Sequence, residues 1–237
     1  MILAAGRGER MRPLTDHAPK PLLPVGGKPL IVWHIERLAA AGFHEIVINH
    51  AHLGHMLEES LGDGHIWNVN LRYSPESEAL ETAGGIAKAL PLLGPAPFLV
   101  VNGDVWCDID FERFVARGIA GITQGAHVHL ALVSNPPQHP DGDFHFVPPV
   151  APSRIGQLSA ETGARLTFSG IGVYRSGFFS GITPGEKAKL APLLRAAIAG
   201  KHATAEHFTG HWTDVGTPER LADLDAQLKA ATAAQAR

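Results

Sequence analysis

Residues Met1–Val25, MILAAGRGERMRPLTDHAPKPLLPV, decide how the rest of the chain is read. The apolar run Met1–Ala5 reads as a buried strand, and Gly6-Arg7-Gly8-Glu9-Arg10 as the loop that leaves it. The small residues Ala4, Ala5, Gly6 and Gly8 let backbone N–H groups come close to a ligand, and such groups cradle phosphates. Arg10 and Lys20 add positive charge around a polyphosphate. The reading is a triphosphate loop. A dinucleotide fingerprint needs a third glycine where this chain has Arg10 and Met11. The phosphate loop of common ATPases needs Gly-Lys-Ser/Thr, whereas Gly27-Lys28 is followed by Pro29.

LAAGRGERMRPLT followed by PKPLLPVGGKPLI, almost without a gap over Leu3 to Leu30, closely resembles the signature of the sugar-1-phosphate nucleotidyltransferases, the nucleoside-diphosphate-sugar pyrophosphorylases. The resemblance implies a Rossmann-like, three-layer α/β fold with a mixed, mostly parallel central sheet. It implies that Leu3, Ala4, Ala5, Gly6, Arg7 and Gly8 wrap a nucleoside triphosphate. It makes Arg10 and Lys20 catalytic, Arg10 gripping the departing pyrophosphate and Lys20 touching the reacting phosphates. UTP and a sugar 1-phosphate are the expected substrates and Mg²⁺ the expected cofactor.

Composition is that of a soluble globular protein. The chain has 237 residues, 45% hydrophobic and 18% charged, enough for a full core. A net charge of −3 gives no general attraction to nucleic acid or membrane. The single cysteine, Cys107, excludes an intrachain disulfide framework and suits a reducing cytoplasm. No signal peptide or apolar run long enough for a membrane span is evident. The chain opens directly inside a strand, so the first few strand residues usual in such a fold are expected to be missing. A single domain over 1–237 is expected, with a nucleotide-binding half at 1–110 and a sugar-binding half plus closing helix at 111–237.

Helices are expected at Lys28–Ala41 (stopped by Gly42), His55–Leu61, Thr82–Leu90, Leu190–Ala199 and Pro218–Ala230, with the last few residues frayed. Strands are expected at Glu45–Asn49, Val69–Tyr73, Phe98–Asn102, His127–Val133, Asp143–Val147, Leu166–Tyr174 and around Gly210–Val215. Strands alternating with helices argue for a parallel sheet covered on both faces, with ligands at the carboxyl ends of its strands. That rule puts Gly6–Arg10, Asn49-His50, Ser74–Thr82 and Asn102–Asp104 on one rim.

Asp104 follows glycine at the end of the central apolar strand, where an oxygen ligand for Mg²⁺ needs little exposed chain. By itself Asn102-Gly103-Asp104 is equally a turn signal; the resemblance makes Asp104 a metal ligand and Asn102 a nucleotide contact. The late segment Trp212-Thr213-Asp214-Val215-Gly216-Thr217 matches the family's second metal carboxylate at Asp214, while Thr217 caps the helix that follows. Glu81, Thr82 and Gly84 stand where relatives carry Gly-Thr-Ala-Gly against base and sugar; Glu81 replaces the first glycine and leaves the base open. No Glu-Lys-Pro segment for the sugar phosphate is found, and Asp143 and Gly170 are the sugar-side candidates. Of the 14 histidines, His50, His52 and His55 lie close together but form no zinc pattern. Trp33 and Trp106 are expected in the core or the site wall. The short segments NHAHLG, YSPE, ETAGGI, LVVNGDVW and GHWTDVGTPERL narrow the resemblance to a UTP-using branch. Two alternatives stay open: a mannose- or glucose-1-phosphate nucleotidyltransferase, and a non-catalytic nucleotide-sugar sensor, against which stand Arg10, Lys20, Asp104 and Asp214.

Overall fold

A computed structural model describes residues 1–235. In chain order the elements are β1 (Ile2–Leu3), the hairpin β2 (Pro24–Val25) and β3 (Lys28–Pro29), α1 (Leu30–Ala40), β4 (Glu45–His50), α2 (Gly54–Leu61), β5 (Asn70–Pro75), α3 (Glu81–Leu93), β6 (Phe98–Asn102), β7 (Val105–Cys107), α4 (Phe111–Thr123), β8 (Val128–Val133), β9 (Phe144–Val147), β10 (Gly156–Ser159), β11 (Ala164–Tyr174), α5 (Leu190–Ala199), β12 (Ala203–His207), β13 (Trp212–Asp214) and α6 (Pro218–Gln235). Three-residue 3₁₀ turns at Glu9–Met11, Leu14–Asp16 and Lys20–Leu22 carry the chain from β1 to the hairpin. The expected fraying falls partly on residues 236–237, which lie outside the described residues. No described helix is long and apolar enough to cross a membrane.

The chain divides into two compact units, each assembled from separated segments. One holds Ile2–Ala79, Asn102–Cys107 and the chain from Trp212 on. Its sheet is parallel: Ile2 pairs with Ile48 and Leu3 with Asn49, while β4 runs beside β5 from Glu45↔Asn70 to His50↔Pro75. β1 is shorter than the apolar run because Asn49 Oδ1 accepts the Ala4 N–H at 3.1 Å, replacing the next ladder bond. Helix α1 ends at Gly42, whose φ of 81° is easy only for glycine and whose N–H closes on Ala39 O.

A core of Met11, Leu23, Val25, Leu30, Trp106, Val215, Leu221, Leu224 and Leu228 draws three distant stretches of this unit together. Leu221, Leu224 and Leu228 form one stripe of α6, and each fully buried leucine contributes about 1.5–3 kcal/mol. The hairpin pins that helix as well. Gly26 donates its N–H to Asp225 Oδ1 at 2.8 Å, and a Cβ there would meet Trp33 and Leu228 within 3 Å.

The other unit holds Leu80–Val101 and Asp108–His211 together with Met1. Its pairing is mostly antiparallel: β11 lies between β6 and β8, and β10 pairs with β9 and β12. Strands β8 and β12 run parallel. The sheet is therefore mixed, with parallel pairing dominant beside the N-terminal loop. All six residues of β8 are buried, as a strand covered on both faces requires.

Helix α4 and strands β10 and β12 are not legible as elements in the sequence. Asp110 caps α4 by accepting the Arg113 N–H at 3.0 Å, but Gly118 and Gly121 interrupt its apolar stripe. The interruption is steric: a Cβ on Gly118 would sit 2.7 Å from Val173.

Candidate active site

The parallel ladder brings Leu3, Asn49 and Ser74 level at the carboxyl ends of β1, β4 and β5. A buried network ties that rim: Asn49 Nδ2 donates to Glu76 Oε1 at 2.7 Å, and the Glu76 N–H to His50 O at 2.7 Å. The glycine loop rises from this rim. Gly6 is open to solvent, with nothing within 4 Å of where a Cβ would stand. Gly8 has φ 69° and lies against Thr15 and Lys20. Its carbonyl accepts the Thr15 hydroxyl at 2.9 Å, and the Thr15 carbonyl accepts Nε2–H of His52 at 3.0 Å. His52 and Thr15 thus hold the loop, a role no motif signals. His50 is equally structural: it donates Nε2–H to Glu58 at 2.7 Å and fills the space beside Gly54.

Gly103 donates its N–H to Leu3 O at 2.8 Å, and a Cβ there would lie 2.7 Å from the same oxygen. Only glycine lets the start of β7 come this close to the end of β1, and Asp104 follows directly. Its Oδ2 accepts a hydrogen bond from Lys20 Nζ at 2.7 Å. The lysine is buried, and the carboxylate stands partly in solvent. Strand β13 then brings the second acid: Asp214 pairs with Val105, and Val215 N–H donates to Asp104 O at 2.9 Å. Asp214 Oδ2 accepts from Arg220 at 2.9 Å. Thr217 caps α6 as expected, its hydroxyl accepting the Arg220 N–H at 3.4 Å.

Leu3, Gly8, Lys20, Asn102, Asp104 and Asp214 thus share one unit. Arg10 stands exposed at the 3₁₀ turn Glu9–Met11 beside them. Behind β7, His34 donates Nε2–H to Val105 O at 2.7 Å, and its pKa is lowered from 6.5 to about 4 by burial. The neutral ring braces the strand that follows directly on Asp104. Trp33 and Trp106 meet edge to face at 6.1 Å in the core beneath.

As a cation site the two carboxylates offer hard oxygens on neighbouring backbone, and each ion pair uses only Oδ2. No group of three His, Cys, Asp or Glu gathers among the described residues. Two protein carboxylates with the remaining positions left to phosphate and water is the donor set that suits Mg²⁺.

The second unit holds Glu81, Thr82, Gly84, Asp143 and Gly170. Glu81 keeps φ 62°, a conformation natural to glycine. The Ala83 and Gly84 N–H groups both donate to Ala188 O, at 2.9 and 3.1 Å, and a Cβ on Gly84 would lie 2.3 Å from Glu186 O. Gly84 therefore serves close packing against the 186–188 segment, its N–H already engaged. Asp143 accepts the Phe168 N–H at 2.8 Å and contacts His139 at 3.1 Å, which makes it a brace between the start of β9 and β11. Gly170, φ 80°, sits in the β-bulge of β11 between Phe168 and Ile171.

This site belongs to a known family. Residues 1–231 match the Nucleotidyl transferase family model, and the chain is a member of that family. It is 56% identical over 229 residues to N-acetylmuramate alpha-1-phosphate uridylyltransferase of Neisseria meningitidis serogroup B, covering 95% of this chain and 96% of that protein. It is 35% identical over 237 residues to the mannose-1-phosphate guanylyltransferase of Mycobacterium tuberculosis, covering 96% of this chain but 64% of that longer protein. Among solved structures, UDP-glucose pyrophosphorylase complexed with UDP-glucose superposes with a TM-score of 0.78 at 18% identity, covering 97% of each chain. The chain is thus an enzyme of the nucleotidyltransferase class.

Proposed function

We propose that this protein transfers a uridylyl group from UTP to N-acetylmuramate α-1-phosphate, giving UDP-N-acetylmuramate and pyrophosphate. The observation that carries the choice of substrates is the 56% identity to the Neisseria enzyme over nearly the full length of both chains. What supports the chemistry is the contact chain from the glycine loop through Lys20 and Asp104 to Asp214.

An oxygen of the sugar 1-phosphate attacks the α-phosphorus of UTP in line; the bond from that phosphorus to the bridging oxygen breaks, and pyrophosphate leaves with the electron pair. No covalent enzyme intermediate is needed, so positioning and charge carry the rate. The N–H groups of the loop from Leu3 to Gly8 hold the triphosphate, and Asn102 contacts the nucleotide. Arg10 neutralises the charge growing on pyrophosphate. Lys20 turns from Asp104 to the reacting phosphates and draws nucleophile and α-phosphate together. Asp104 and Asp214 would hold Mg²⁺, which when bound supplies charge neutralisation to phosphate oxygens. A product of this class suits cytoplasmic recycling of cell-wall sugar.

The test is pyrophosphate release with Mg²⁺ across a grid of UTP, GTP, dTTP and ATP against the 1-phosphates of N-acetylmuramate, N-acetylglucosamine, mannose and glucose. Release with UTP and N-acetylmuramate 1-phosphate alone is expected. Preference for mannose 1-phosphate and GTP would overturn the substrate assignment and leave the class intact.

A further inference from the structure

The carboxylate at Asp214 is held by a built clamp. Arg220, in the first turn of α6, places NH1 2.9 Å from Asp214 Oδ2. Both side chains are largely buried, 20% and 26% exposed, so water competes weakly for the pair. The other end of the guanidinium occupies a slot that exists because residue 216 is glycine. A Cβ on Gly216 would lie 2.2 Å from Arg220 NH2 and 3.1 Å from Asp214 Oδ1. Gly216 is not among the positive-φ glycines, so its backbone tolerates a side chain and only the slot forbids one. The helix that carries Arg220 is itself fixed, by the Thr217 cap and by Leu221, Leu224 and Leu228 in the core.

We infer that Arg220 is a positioning residue for the reaction: lodged against Gly216, it fixes the rotation of the Asp214 carboxylate so that Oδ1 is presented to a divalent cation. This rests on the reading of Asp214 as a metal carboxylate. A flexible carboxylate would lose conformational freedom on binding the ion, whereas one already held by a charge-assisted hydrogen bond has less to lose. Partners that orient metal ligands are worth about 10–100-fold in metal affinity or activity.

The experiment compares wild type, Arg220→Gln, Gly216→Ala, the double variant and Asp214→Asn. Two quantities are read: Mn²⁺ bound in the presence of a non-hydrolysable UTP analogue, by electron paramagnetic resonance of the free ion, and the Mg²⁺ concentration for half-maximal turnover. Melting temperatures report folding. Arg220→Gln and Gly216→Ala should each weaken Mn²⁺ binding and raise the Mg²⁺ requirement by about tenfold or more. The double variant should be no worse than either single one, because both remove the same contact. Folded single variants with wild-type Mn²⁺ binding would overturn the proposal, and so would effects that multiply in the double variant. If Arg220→Gln does not fold, Gly216→Ala alone carries the test, since it retains the arginine and crowds the guanidinium, at 2.2 Å, far more closely than the carboxylate, at 3.1 Å. Asp214→Asn separates the two layers: wild-type Mn²⁺ binding there removes the metal reading, whereas its loss beside unchanged Arg220→Gln removes only the clamp.

Discussion

The Lys20–Asp104 pair should respond asymmetrically to loss of either partner. The Lys20 side chain is 8% exposed and that of Asp104 38%. In Asp104→Ala a buried ammonium loses its 2.7 Å partner. Breaking a fully buried pair costs about 3–5 kcal/mol. Because the carboxylate stands more than a third in water, screening reduces the loss to about 1–2 kcal/mol. For a domain of this size that lowers Tm by about 2–8 °C. Lys20→Met removes the more deeply buried charge and leaves a carboxylate that water reaches, so stability should change by only about 0–1 kcal/mol. Both variants should lose turnover by about 10²–10³-fold, as a positioned charge at the reacting phosphates requires. Circular-dichroism melts and pyrophosphate release measure the two effects separately. The reasoning fails if Lys20→Met is the less stable variant, or if either folded variant turns over within tenfold of wild type.

Two further outcomes are expected. Glu81→Gly relieves a left-handed backbone that costs a non-glycine residue about 1–2 kcal/mol, part of which returns as unfolded-chain entropy, so Tm should rise slightly while KM for UTP rises; a lower Tm would show that no strain is stored there. His34 and His129 both have pKa values lowered from 6.5 to about 4 by burial. Their folded values lie below the unfolded one, so the stability they confer is full above about pH 6.5 and is lost as pH falls toward 4, at about 1.4 kcal/mol per pH unit for each histidine. Urea unfolding at pH 7, 5.5 and 4.5 should show that slope, flatter in His34→Gln; equal slopes in the two proteins would exclude His34 as a source.

Much of the molecule is legible in its amino-acid sequence alone. The unbroken apolar run of Phe98–Asn102, the 3.6-residue period of Leu190–Ala199 and the stop at Gly42 are local signals, and local hydrogen bonding honours them. The glycine loop and Lys20 are legible as small residues and fixed charge of the kind a phosphate cradle needs, whereas Asp104 and Asp214 are singled out by the resemblance of their segments to the family.

Contacts between segments are decided only by the tertiary structure. The resemblance implies Gly84 beside the nucleotide; in the fold its N–H and the space a side chain would fill are engaged by Ala188 and Glu186, a partner nothing within ETAGGI signals. Asp143 braces the backbone of Phe168, twenty-five residues away in the chain. Helix α4 is hidden because Gly118 and Gly121 meet their neighbours through absent side chains, which a periodicity of apolar residues does not register. Arg220 is an ordinary helix residue by sequence; the fold makes Gly216 its slot and Asp214 its partner. The phosphate loop is written in residue identity at short range; the positioning of Lys20, Asp104 and Asp214 depends on close approaches across the chain, in the unit where Met11, Trp106 and Leu224 share one core.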